Sequence, residues 1–288
     1  MSIGILISVH DGIVLAADSA STLKVVEAGP GLPPNQQTLN VYNNANKIVN
    51  LYKGKPIGCV AYGSGSIGSA SVSTLLKDFR ELLRMKGESF DPANYAMQDV
   101  AERLTNFLMG KVNQLGQNEP KPSLGIMVAG YSSQKSLGEG WLLAIENGIE
   151  KKPTLLQPEG HVGITWGGEG ESTARLVLGF SQELQSVLGQ VIQPQLTSDQ
   201  LEKLTSYLRS RLQAPLVFAP MPIQDAIDLA EWLVHSASMF SRFIPGVPSV
   251  GGPIESAAIT KHEGFKWIRR KHYYEKSLNS EISDEHRN

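Results

Sequence analysis

Residues 2–18 have the sequence SIGILISVHDGIVLAAD, in which two apolar segments are joined by Asp11-Gly12. An Asp-Gly pair between apolar runs is a strong signal for a tight β-hairpin. A hairpin brings its two ends together, so we expect Asp18 to lie near the start of the chain. The hairpin therefore predicts both the first pair of strands and a carboxylate beside the N-terminus.

The second residue, Ser2, follows a single initiator methionine. Serine is small enough for Met1 to be trimmed, and trimming leaves one residue with both a hydroxyl and a free α-amino group. Such an amine has a reference pKa of about 7.7–8.0. It can take the proton from its own hydroxyl and so create a nucleophile.

The composition is that of an ordinary globular protein, with 288 residues and a formal net charge of -2. Basic residues cluster only weakly, at Arg269, Arg270 and Lys271, so we expect no nucleic-acid partner. No run approaches the ~20 apolar residues of a membrane helix, and the N-terminus lacks the basic region of a signal peptide. The single cysteine, Cys59, lies in an apolar run and is expected to be a buried thiol. These observations favour a cytoplasmic protein.

The elements follow one another as strands, two helices, strands, two helices and a strand. Paired helices between antiparallel hairpins indicate an α+β protein built in layers. We expect a surface loop over roughly 26–46, a helix after Gly63, and a second helix from Asp91-Pro92. Two further helical stretches are expected at about 172–211, with a break near Pro194, and at 223–243. A single domain is predicted over 1–262, followed by a charged, partly disordered tail over 263–288.

Three stretches resemble the proteasome β-subunit family, whose members are N-terminal-nucleophile hydrolases. Residues 11–19, DGIVLAADS, resemble its strand-turn-strand signature and place Ser2 on the family nucleophile. Residues 45–52, ANKIVNLY, resemble the segment of its catalytic lysine and place that role on Lys47. Residues 61–65, AYGSG, resemble the strand end that supplies the oxyanion hole. Weaker matches are residues 167–170, GGEG, and residues 249–253, SVGGP, the latter most like the bacterial group called Anbu.

The resemblance implies a four-layer αββα sandwich, with two antiparallel sheets between pairs of helices. It also implies a peptidase that needs no cofactor or metal, forms a ring or helical homo-oligomer and acts on peptides or unfolded chains. Whether an ATP-driven unfoldase takes part is left open. The chain departs from the family pattern in having serine for the usual threonine, Ala20 for a frequent arginine, and Glu169 for a serine.

The resemblance assigns physical roles to a small set of residues. Lys47 would disfavour protonation of the α-amino group, and Asp18 would fix Lys47 by a charge-assisted hydrogen bond. The oxyanion donor would be the backbone N–H of Gly63, or that of Tyr62 if the register differs by one residue. Thr22 would pair with an extended peptide, and Ser249 is the plausible partner for the nucleophile's amine.

Other interpretations of the sequence remain. Residues 63–68 fit the letters GxGxxG, but no acidic residue follows at the end of a parallel strand, which argues against a dinucleotide site. The six histidines show no metal-like spacing. A noncatalytic structural subunit of the same fold, or a small-molecule amidase of the same class, stays open as an alternative to the peptidase.

Overall fold

The computed structural model describes residues 2–27, 35–85, 90–117, 119–192 and 196–271. Its first sheet has the strand order β12-β1-β2-β13-β14. The predicted hairpin forms its centre, since β1 and β2 pair antiparallel with Val9 opposite Gly12 and Gly4 opposite Ala17. The strands are β1 (Ile3–Val9), β2 (Gly12–Ala17), β12 (Gly163–Gly168), β13 (Glu255–Thr260) and β14 (Gly264–Arg269).

The second sheet has the order β11-β10-β9-β6-β5 and is also antiparallel. Its strands are β5 (Ile48–Asn50), β6 (Ile57–Gly63), β9 (Leu124–Gly130), β10 (Glu139–Glu146) and β11 (Ile149–Gln157). β6 faces β1 of the first sheet. This places the predicted lysine segment and the predicted oxyanion strand next to the N-terminal hairpin.

Helices cover the outer faces of both sheets. α1 (Val72–Leu82) and α2 (Met97–Val112) pack on the second sheet, while α3 (Glu171–Leu178) and α6 (Ile223–Phe243) lie on the first. A third apolar cluster fills the space between the sheets. The predicted four-layer α+β sandwich is confirmed. α4 (Leu184–Val191) and α5 (Ser198–Leu212) contact one another and contain no buried residue.

The first strand is buried along its whole length because it is covered on both faces. Ile3, Ile5 and Ile7 belong to the cluster beneath α3 and α6, whereas Leu6 belongs to the cluster between the sheets. A strand covered on both faces needs a continuous apolar run rather than alternation. Gly4 lets the sheets approach closely, since a Cβ there would lie 3.0 Å from Val60 Cγ2.

Several boundaries differ from those expected from the sequence. The expected loop over 26–46 is wrong for 26–27 and 35–42, because β3 (Ser21–Glu27) and β4 (Asn35–Tyr42) form a two-stranded ribbon. β7 (Ser66–Ile67) and β8 (Ala70–Ser71) precede α1, whose N-terminus is capped by the Ser71 hydroxyl. α2 starts at Met97 rather than at Asp91-Pro92. The stretch 172–211 contains three helices, and the expected break at Pro194 lies outside the described residues.

The first sheet also extends past residue 262, where we expected the domain to end. β14 pairs antiparallel with β13 after a turn over residues 261–263, and its first residue is Gly264, with φ +70. Phe265 and Trp267 pack on the cluster between the sheets, which gives this short strand an apolar face. The sequence did not reveal β14 because the alternating pattern of this strand is brief and is flanked by charged residues. The rest of the expected tail, 272–288, lies outside the described residues.

We predict that Ile5→Ala lowers the free energy of unfolding by about 2–5 kcal/mol, because it removes a fully buried side chain from a covered strand. Ile149→Ala is the matched control, since Ile149 is 67% exposed and should change stability by less than about 0.5 kcal/mol. Chemical denaturation measures both. Equal effects of the two substitutions would contradict the assignment of β1 to the centre of the sandwich.

Candidate active site

Ser2 lies immediately before β1 and is only 2% exposed. Its hydroxyl Oγ accepts a hydrogen bond from the backbone N–H of Gly63 at 3.0 Å. Its carbonyl accepts one from the N–H of Glu169 at 2.9 Å. Gly168 permits this second contact, because it has φ +89 and a Cβ there would lie 1.8 Å from the Ser2 carbonyl oxygen. Ser2 is thus hydrogen-bonded to the end of β6 through its side chain and to the residue after β12 through its backbone.

Asp18 follows β2 and is fully buried. Its Oδ1 accepts from the N–H of Ile3 at 3.0 Å and from the ammonium group of Lys47. Its Oδ2 accepts from the N–H groups of Ala20 at 3.0 Å and Gly251 at 3.1 Å. The hairpin therefore brings Asp18 to the start of the chain, as the sequence predicted. Four donors compensate the burial of its charge.

Lys47 precedes β5, and its side chain is 8% exposed. It forms a buried ion pair with Asp18. Burial lowers the pKa of Lys47, while the charge of Asp18 and the hydrogen bond to it oppose that effect. Lys271 lowers the Lys47 pKa further through its charge, and Glu255 raises it. Since Asp18 Oδ1 bonds both Lys47 and the N–H of Ile3, the lysine shares its acceptor with the residue next to Ser2.

Gly63 ends β6 and is the residue whose N–H reaches the serine hydroxyl. It has φ +94, and a Cβ there would lie 2.6 Å from the carbonyl oxygen of Ser123, so a side chain is excluded. Tyr62, the other residue considered from the sequence, instead packs its ring against Gly125 and Gly167, where a Cβ would lie 2.3 and 2.1 Å from Tyr62 Cζ. Burial raises the pKa of Tyr62.

Thr22, the predicted substrate-binding residue, belongs to the ribbon of β3 and β4. Thr22 is half-buried in β3, opposite Val41 of β4. The adjacent Ser21 faces Gly65, since a Cβ at Gly65 would lie 2.9 Å from Ser21 Oγ. The start of β3 therefore borders the turn after Gly63.

Ser249 is half-buried, and its N–H donates to the hydroxyl of Ser241 at 3.0 Å. It is Gly251, two residues later, that contacts Asp18. The N–H of Ser19 donates to the Gly251 carbonyl at 2.8 Å, and the Ser19 hydroxyl donates to the Pro253 carbonyl. The 249–253 stretch thus contacts the end of β2 through backbone groups rather than through the serine side chain.

Sequence reasoning missed two charged residues beside Lys47. Glu255 starts β13 and is 1% exposed, and the Lys271 side chain is 7% exposed with its Nζ 3.2 Å from Glu255 Oε2. Lys271 falls in the stretch 263–288, which the sequence predicts to be a charged tail. The available signal was the position of Glu255 at the start of an apolar strand. A carboxylate that is buried there needs a cation as its partner.

Within the described ranges, no group of three or more His, Cys, Asp or Glu side chains is placed to hold a metal ion. No helix of the described part is long and apolar enough to cross a membrane.

The fold is shared with solved structures of Anbu, the proteasome-like ancestral β-subunit of bacteria. An Anbu (Gly-1) mutant from Hyphomicrobium sp. strain MC1 gives a TM-score of 0.53 at 13% identity, covering 94% of this chain and 86% of that one. The helical assembly of the Anbu complex from Pseudomonas aeruginosa gives 0.53 at 13% identity, with coverages of 96% and 90%. Anbu from Yersinia bercovieri gives 0.50 at 11% identity, with coverages of 94% and 89%. The family resemblance drawn from the sequence is confirmed at the level of the fold.

No protein-family model matches the chain, and no curated protein matches it by sequence. The similarity therefore lies in the arrangement of elements over nearly the whole chain.

We predict that Asp18→Asn lowers the free energy of unfolding by about 3–5 kcal/mol, because it leaves the buried Lys47 charge without a counterion. Thermal or chemical denaturation measures the loss. Asp199→Asn is the matched control, since it breaks the Asp199–Lys203 pair, whose side chains are 70% and 76% exposed, and should cost under about 0.5 kcal/mol.

Adding Lys47→Met to Asp18→Asn should recover part of the lost stability, because the unpaired charge is then gone. A double variant less stable than Asp18→Asn by the full cost of Lys47→Met alone would show that the two side chains act independently.

Proposed function

We propose that this protein is an amide-bond hydrolase of the proteasome-like peptidase type, with Ser2 as its N-terminal nucleophile after removal of Met1. The observation that carries the proposal is the contact of the Ser2 hydroxyl with the Gly63 N–H, beside the buried Asp18–Lys47 pair. A hydroxyl, a backbone donor and a carboxylate-bound cation are the groups that acyl transfer needs. The Anbu-like fold supports the same assignment.

In this mechanism the free α-amino group takes the proton from Ser2 Oγ as Oγ bonds to the substrate carbonyl carbon. The electron pair of the carbonyl moves to its oxygen, and the Gly63 N–H stabilises the resulting oxyanion. The ammonium proton then passes to the leaving amine, which departs as the C–N bond breaks. Water activated by the same amine hydrolyses the Ser2 ester and restores the free hydroxyl.

Lys47 and Asp18 act on the chemistry through charge. The positive charge of Lys47 disfavours protonation of the neighbouring amine, which keeps it available as a base. The four donors to Asp18 hold its carboxylate fixed and so fix the lysine. Because the pair is buried, the cation is poorly screened by solvent.

A peptide in extended conformation is the substrate that the surroundings suit best. Gly63 is exposed and the start of β3 borders the following turn, which supports an added strand of substrate lying beside this part of β3. Peptides and unfolded chains present such a strand.

We further propose that the protein acts as a homo-oligomer in the cytoplasm. The Pseudomonas aeruginosa Anbu complex is described as a helical assembly. A ring or helical arrangement of this chain would restrict access to the site by geometry.

A noncatalytic structural subunit is the second candidate, and the burial of Ser2 favours it. In the chain that retains Met1, Ser2 is 2% exposed, so a substrate carbonyl needs an opening before it can reach the hydroxyl. A small-molecule amidase is a third candidate, selected if peptides are not cleaved while a simple amide is turned over in a Ser2-dependent way.

The direct test is labelling by an electrophilic acyl probe such as a peptide β-lactone, with the adduct located by mass spectrometry. The proposal predicts an adduct on the hydroxyl of residue 2 in the parent and in Ser2→Thr, and no adduct in Ser2→Ala. Ser69→Ala, at an exposed position, is the matched control and should label like the parent. A parent chain with a free Ser2 amine that resists all acyl probes would favour the structural subunit.

We predict that Lys47→Met lowers the labelling rate by at least about tenfold, because the amine loses the cation that keeps it deprotonated. Methionine is unbranched and only one heavy atom shorter than lysine, and Lys53→Met at an exposed position is the control. Labelling kinetics measured across pH distinguish the outcomes. Equal rates for Lys47→Met and the parent would remove Lys47 from the mechanism.

A further inference from the structure

Lys271 lies just after β14, at the end of the described chain, and its side chain is only 7% exposed. Its ammonium group donates to the carbonyl of Ala45 at 2.6 Å and to the hydroxyl of Ser19. It also forms an ion pair with Glu255 at 3.2 Å. An ammonium group has three protons, and three acceptors surround this one.

Two of these acceptors belong to the segments that carry the candidate catalytic groups. Ser19 follows Asp18 directly, and Ala45 lies two residues before Lys47. The backbones also meet, since the N–H of Ala45 donates to the carbonyl of Ser19 at 2.9 Å. Lys271 therefore joins the end of β2 to the entry of β5 at the point where Asp18 and Lys47 pair.

The Ser19 hydroxyl extends this connection to a third segment. It accepts from Lys271 and donates to the carbonyl of Pro253. Pro253 belongs to the same loop as Gly251, whose N–H bonds Asp18. One ammonium group thus contacts, directly or through one hydroxyl, each chain segment that surrounds the Asp18 carboxylate except β1.

The buried charges around the Asp18–Lys47 pair sum to zero, because two carboxylates are matched by two ammonium groups. Asp18 and Glu255 face Lys47 and Lys271, and all four are buried. Burial lowers the pKa of Lys271, and Glu255 and Asp18 oppose this by their charges. The Lys271 charge in turn lowers the pKa of Lys47.

More cations lie on the outer side of Glu255. A cavity of about 300 Å³ is lined by Glu255 and Asn46 together with four basic side chains, Lys53, Lys77, Arg80 and Arg270. Their positive charges are more solvated than that of Lys271, so they are screened more strongly. Lys271 is therefore the cation placed to act on the buried pair.

We propose that Lys271 is a positioning residue of the Ser2 site, whose ammonium group clamps the Asp18 segment to the Lys47 segment and places a second positive charge beside Lys47. The inference rests on the proposed function, and it extends the site to the C-terminal strand. A purely structural cation, present only to neutralise Glu255, is the competing explanation.

The experiment compares the full-length parent with Lys271→Met, Lys271→Arg and the double variant Lys271→Met/Glu255→Gln. Lys266→Met, at an exposed position on β14, is the matched control. Each protein is characterised by thermal melting, by acyl-probe kinetics and by NMR titration of 13Cε-labelled lysine, with the Lys47 signal identified from its loss in Lys47→Arg.

We expect Lys271→Met to lower the maximal labelling rate by about ten- to hundredfold with the half-saturating probe concentration unchanged, because misplaced groups slow the reaction rather than binding. The pKa of Lys47 should rise, since a repelling charge is removed. Lys271→Arg should label within about threefold of the parent, because the charge and donors remain. Lys266→Met should match the parent.

The double variant separates the two explanations. It carries no stranded carboxylate, so its melting temperature should recover while its labelling rate stays low. Recovery of the parent labelling rate would overturn the proposal and leave Lys271 as a counterion of Glu255. An unchanged Lys47 pKa together with parent-like labelling in Lys271→Met would overturn it as well.

Failure of the proposed function gives a different result. If the parent and Ser2→Ala are equally unlabelled, Ser2 is not the nucleophile, and the Lys47 titration still tests the effect of Lys271. If Lys271→Met alone does not fold, Lys271→Arg and the double variant still decide the matter.

Discussion

The buried carboxylate of Asp18 is the constraint on which the candidate site depends. A charge with no access to solvent must be paired and hydrogen-bonded, and the donors to this one come from β1, the end of β2, the loop before β13 and Lys47. Each donor fixes a different segment relative to the start of the chain. The geometry around Ser2 follows from satisfying one carboxylate.

The sandwich supplies the dry surroundings that make this arrangement effective. β1 and β2 are covered by α6 on one face and by the second sheet on the other, so the ion pair at their open end is poorly screened. Glycine is required where the layers meet the N-terminus. Gly63 directs its N–H at the serine hydroxyl, and Gly168 makes room for the serine carbonyl. Close approach of backbones, rather than large side chains, forms the wall of the site.

Much of this could be predicted from the sequence because its signals are local. The Asp11-Gly12 turn fixed the hairpin and hence the position of Asp18, and the helical stretch expected at 223–243 coincides with α6. The ribbon of β3 and β4 was missed because the Pro and Gly residues between its strands, and the Asn residues within and after β4, are equally typical of a loop. β14 was missed because its strand pattern is short. The pairing of Glu255 with Lys271 could not be predicted locally, because it depends on how β13 and β14 meet β5.

The central claim is that the mature chain starts with a serine whose amine is free beside the Asp18–Lys47 pair. Intact-mass spectrometry with N-terminal sequencing of the protein purified from its native cells tests it most directly. The account predicts a chain that lacks Met1 and starts at an unmodified Ser2. A retained methionine or an acetylated serine would contradict it, since the hydroxyl would then have no neighbouring base.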